Sequence, residues 1–166
     1  GALMDAATAH YDLSDLDAVL LLDDESITVG DDGSLTTTRH TVVWFSTEIG
    51  LSAYADVRVP HDTATSTLEV HALRTWRDGR WWPDKSELSP TAIVATTPYA
   101  LQSADDYTTM RETVLLHDGV ELPCIVETAY TITEASGADP GADGLWMVQV
   151  SDPSVLTRLS LTVPAG

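Results

Sequence analysis

The sequence contains a single cysteine, Cys124, a single lysine, Lys85, and a single phenylalanine, Phe45, in 166 residues. One thiol excludes an internal disulfide and any cysteine-rich metal site, and it leaves the redox compartment unreadable. Basic residues are scarce as a class: 8 against 26 acidic ones, giving a net charge of −18. A surface this acidic repels phosphate backbones and anionic lipid, which argues against nucleic-acid partners and peripheral membrane binding. It attracts cations, basic peptides or a basic neighbouring domain, although solubility alone accounts for the charge. No run approaches the roughly 20 apolar residues of a membrane span, so no membrane insertion is expected. The longest apolar run, AVLLL at 18–22, is strand-sized. A basic stretch followed by an apolar one is also missing from the start, so no signal peptide is read in this chain. Residues 1–14 are expected to be a cloning remnant (Gly1-Ala2-Leu3) and a lead-in, with one domain over 15–166.

What the chain has in quantity is threonine, valine and leucine, arranged as β-rich runs separated by turns of Asp, Gly, Pro or Ser. Residues 18–30 and 35–50 read as a hairpin around Asp31-Asp32-Gly33-Ser34, since Asp-Gly supplies the positive φ that tight turns need. Residues 55–60 alternate strictly. So do residues 67–76, which predicts Leu68, Val70, Ala72, Arg74 and Trp76 on one face. The turn at 77–80 (RDGR) leads into Trp81 and Trp82. Further strands are predicted at 107–117, 124–133, 145–151 and 155–163. Helical signal is scarce: 85–106 mixes Ser, Pro, Thr and Ala, with at most a short helical turn at 101–107, and 135–144 reads as a loop. Trp44 and Trp146 lie in strongly apolar runs and are expected in the core. The fold class is all-β, an antiparallel β-sandwich of about 8–10 strands with little helix, the supersandwich being its larger form.

In this order the strands resemble the DUF3857 domain, which precedes a transglutaminase-like domain in bacterial proteins. The resemblance is carried by AVLLLDDESITVGDDGSLTTTRHTVVWFSTEIGLSAYADVRVPHD (18–62), with its E-x-G turn at Glu48 and Gly50. The hairpin at 68–80, HDGVELPCIVETAYTIT (117–133) and SDPSVLTRLSLTVPAG (151–166) continue it. Cys124 stands where the family usually has Gly, and 135–144 is irregular. The resemblance implies a C-terminally truncated unit whose tail hands the chain to a downstream transglutaminase-like domain. It also implies an exported or membrane-associated parent protein, and it assigns no reaction.

A transglutaminase or papain-like site needs a thiol activated by a histidine that is itself oriented by Asp or Asn. Cys124 begins an alternating strand, whereas such nucleophiles sit at helix N-termini that lower the thiol pKa. It is therefore read as structural, with His71 and His117 the least implausible partners and no catalytic residue assigned. The histidines His10, His40, His61, His71 and His117 show no zinc-ligand spacing, so no metal or cofactor is expected. The acidic pairs, among them Asp23-Asp24, Asp105-Asp106 and Asp139 with Asp143, fit turns and a solvated surface rather than a calcium loop. Trp76, Trp81 and Trp82 around the 77–80 turn are the candidate ligand-binding residues. Exposed aromatics there would stack on sugar rings or dock a peptide; the bland alternative is a cross-strand aromatic pair plus one buried ring. The leading function is a non-catalytic accessory or interaction domain, the alternative a carbohydrate- or peptide-binding module. An edge strand left exposed by truncation would promote a homodimer.

Overall fold

β1 (Ala18–Val29) and β2 (Leu35–Phe45) form the expected hairpin, pairing antiparallel from Ala18–Phe45 to Val29–Leu35. Its turn has Gly33 at φ 81°, a left-handed position, and the Asp32 carboxylate accepts from the Ser34 N–H. In the computed structural model, which describes residues 1–83, 88–89, 91–137 and 152–165, this hairpin is the centre of a six-stranded sheet. β8 (Cys124–Glu134) pairs with β2, β4 (Ser66–Arg77) with β8, and β5 (Arg80–Trp82) with the end of β4. On the opposite flank β9 (Thr157–Thr162) lies against β1 and runs parallel to it, the one departure from antiparallel pairing among the described strands. A second sheet orders β3 (Val57–Asp62), β7 (Met110–Leu115) and β6 (Ile93–Thr96). The predicted strand at 145–151, with Trp146 and most of the 135–144 loop, lies outside the described residues.

Alternation divides the large sheet into two faces. On the inner face Ala18, Val43, Phe45, Cys124 and Val126 form one buried cluster, capped by Leu51, Tyr54, Val120 and Leu122. Farther along, Leu73 meets Val59, Leu115 and Ala92 of the small-sheet side, with Leu68, Val70, Tyr130 and Ile132 packed around them. The outer face is apolar at one end only. There Val19 and Leu21 bury against Ala7, with Val42, Trp44 and Ile125 partly covered. The cover is α1 (Ala2–His10), so residues expected to be a lead-in form a helix packed on the sheet.

Two further elements differ from the sequence reading. The expected Glu48–Gly50 turn is a helix, α2 (Glu48–Tyr54), and the Thr47 hydroxyl at its N-cap accepts from the Gly50 N–H at 3.3 Å. The same hydroxyl donates to Asp17 at 2.5 Å, which ties the helix to the start of β1. β6, in a stretch read as irregular, is only four residues long, too short to show a period. The helical turn expected at 101–107 is a 3-10 segment, Tyr99–Tyr107.

The alternation of β4 also breaks. A bulge between Val70 and Ala72 inserts one residue, so Leu68 and Val70 face inward with Leu73 and Thr75. Ala72, Arg74 and Trp76 therefore face the opposite side from Leu68 and Val70, which corrects the single-face reading.

Two expectations follow. A Cβ on Gly50 would sit 2.2 Å from the Asp17 carbonyl oxygen, which is backbone and cannot rotate away. Gly50→Ala should cost roughly 1–3 kcal/mol, the usual range for overpacking, read as a lower midpoint in urea with an unchanged slope. His117, on the turn after β7, is bonded to the Thr128 hydroxyl at 2.9 Å, and burial holds its imidazole below the ordinary pKa. The unfolded chain then takes up a proton that the folded one refuses as pH falls through about 6.5, so stability should decrease below that pH. Urea midpoints at pH 7.5 and 5.5 should differ more in the native sequence than in His117→Gln.

Candidate functional site: the tryptophan hairpin

The 77–80 turn joins β4 to β5 with Asp78 at φ 51° and Gly79 at φ 76°. Two successive positive φ angles are what a two-residue type I′ hairpin requires, and Asp-Gly is among the pairs that tolerate them. The register sets Trp76 opposite Trp81 and Thr75 opposite Trp82. Trp76 and Trp81 thus share the outer face, their rings edge to face with centroids 5.3 Å apart. The Arg74 guanidinium lies 4.1 Å over Trp81, so one face of that indole is already covered. Trp76 is 37% exposed.

Trp82 points the other way. On the inner side it is stacked by Arg80 at 3.8 Å and Arg77 at 4.8 Å. Gly119, at φ 71°, comes so near that a Cβ there would stand 2.9 Å from the Cβ of Trp82. The hairpin therefore brings two of the three candidate rings together and places the third on the opposite face. Beside the pair is an open recess of about 400 Å³ lined by Leu3, Met4, Leu21, Val42 and Ile125. Its lining is apolar, and its roof is the first turn of α1.

Next to this recess a row of charges crosses the outer face. Glu127 on β8 accepts from Arg74 at 2.6 Å and lies 2.9 Å from His40 on β2. Asp24 on β1 is bound by Arg158 of β9 through Nε at 2.7 Å and through Nη2. The Arg158 hydrogen bond holds the Asp24 carboxyl below the usual carboxylate range. Beyond that row the face turns to hydroxyls, with Ser26, Thr28, Thr36, Thr38, Thr131 and Thr133 on adjacent strands and a Thr38–Thr131 bond at 3.0 Å. None of this was foreseen beyond the tryptophans, because ladder partners from five strands show no spacing in sequence.

Among the described residues no hydrogen bond joins the thiol to an imidazole. Cys124 is buried among Phe45, Val43 and Val126, and burial pushes its thiol up in pKa, away from a thiolate. His71 is on the outer side, bonded to Thr131 at 2.8 Å. His117 meets Thr128, four residues along the strand from Cys124. Among the described residues no group of three or more metal-ligating side chains converges.

No curated protein matches the chain. A crystal structure of a "putative protease" from Parabacteroides distasonis ATCC 8503 superposes with a TM-score of 0.80 at 23% identity. The match covers 89% of this chain and 29% of that one, so the chain spans less than a third of the solved protein, and the likeness is one of fold. The model of a family described as a domain of unknown function with a solved structure, DUF3857, matches residues 31–166, and the chain belongs to that family.

Proposed function

We propose that this domain is a non-catalytic accessory module of a larger protein, serving to seat a transglutaminase-like domain that follows it. The observation that carries this reading is the free side of β9. Leu159 and Leu161 on it and Val163 just past its end alternate and are 47%, 58% and 61% exposed. The far edge of the strand carries no neighbour among the described residues. Single exposed leucines are ordinary, but three in line on an open sheet edge form a docking surface. The burial of Cys124, which disfavours its thiolate, and the small share of the solved protein that this chain spans, support the same reading.

A second reading, a carbohydrate- or peptide-binding module, is supported by Trp76 at the mouth of the apolar recess. Of the two ligand classes the recess favours a peptide side chain. Arg74 occupies a stacking face of Trp81, and Trp82 is turned away.

Three measurements separate these readings. The isolated domain should release no ammonia above background from a glutamine peptide and a primary amine. Turnover that disappears in Cys124→Ser would sink the non-catalytic assignment. Static light scattering at high salt, where the −18 charge is screened, should show self-association that Leu161→Glu reduces; a strict monomer over a wide concentration range counts against the β9 surface. Trp81→Ala should lower stability by about 1 kcal/mol through the lost ring pair and cation–π contact. Unchanged folding with loss of binding on peptide or glycan arrays would instead favour the ligand module.

A further inference from the structure

Three of the seven arginines, Arg74, Arg77 and Arg80, fall within the tryptophan hairpin of a strongly acidic chain. Arg77 and Arg80 are direct cross-strand partners, a like-charge pair that destabilises a hairpin unless something compensates it. Among the described residues only one counter-ion is present for the two. Glu121 accepts from Arg77 Nη1, while Arg80 has no carboxylate within 4.0 Å among the described residues. The other six arginines each have one.

The donors around this pair are also unmatched. Arg77 Nε and Trp82 Nε1 are both buried without a hydrogen-bond partner, as is the Thr75 hydroxyl on the rung beside them. Both guanidinium groups lie on the indole of Trp82. Stacking holds them in place but neither neutralises their charge nor engages the in-plane N–H groups. A buried donor without an acceptor is costly, and several at one spot call for an acceptor that the described residues do not supply.

We propose that the inner side of the hairpin, at Arg77, Arg80 and Trp82, is an oxyanion-binding site for a carboxylate or phosphate group. The arginine forks match the oxygens of either group, and the indole N–H adds a neutral donor. Trp82, which the turn sends away from the other two tryptophans, acquires a role in this arrangement distinct from theirs. The site is independent of the β9 edge and of the outer recess.

The indole N–H resonance of Trp82 in a nitrogen-15 spectrum reads the site directly. Sodium phosphate and sodium acetate are titrated separately, with ionic strength held constant by sodium chloride. A saturable shift of the Trp82 signal, with Trp76 and Trp81 unmoved, is expected; saturation by phosphate alone or by acetate alone identifies the preferred group. Arg80→Gln, at the exposed end of the hairpin, should weaken binding at least tenfold. Glu121→Gln removes the competing carboxylate from the surface and should tighten it severalfold. Absence of a saturable shift in the native sequence overturns the proposal. So does equal affinity in Arg80→Gln, or binding that is unchanged or weaker in Glu121→Gln.

Discussion

All eleven residues of β8 are paired with β2 on one side, and from Ile125 to Glu134 the strand is also paired with β4 on the other. Every other feature of the large sheet takes its place from this strand. Its even-numbered residues from Cys124 to Ile132 face the core clusters. Its odd-numbered residues supply Ile125 to the patch under α1, Glu127 to the charged row and Thr131 to the hydroxyl rows. Because side chains alternate strictly, slipping β8 by one residue would bury Glu127 and expose Val126 together. Register is therefore enforced from both faces at once, which a one-sided amphipathic strand does not achieve.

The strands were legible wherever apolar residues alternated over six or more positions between turn residues. What escaped the sequence reading has a common cause: it depends on partners distant in the chain. The bulge at Val70–Ala72 carries no Gly or Pro to announce it, and its effect, the reversal of Trp76, appears only once β4 is laid against β8. The parallel direction of β9 follows from where the chain re-enters the sheet, not from the alternation of Leu159 and Leu161. α1 has small residues and little amphipathic contrast; it forms a helix against an apolar patch made by Val19 and Leu21.

The same distinction applies to the candidate site. The cross-strand meeting of Trp76 and Trp81 could be read from the Arg-Asp-Gly-Arg turn, since a two-residue loop fixes which positions face each other. The division of labour among the arginines could not. Arg74 neutralises Glu127 because the bulge turns it outward, whereas Arg77 meets Glu121 from a loop more than 40 residues away. Similar-looking arginines three positions apart thus occupy opposite sides of one sheet and carry different charge balances.

The two long edges of the large sheet are built differently. Along β4 the outermost backbone is interrupted by the bulge and flanked by Glu69 and His71, and the three-residue β5 covers its end. β9 has no bulge, and its apolar side chains continue past its last rung. Among the described residues the large sheet therefore offers one regular backbone edge and one irregular edge. A strand added along a bulged edge loses ladder bonds, so the large sheet would accept a further strand more readily beside β9 than beside β4.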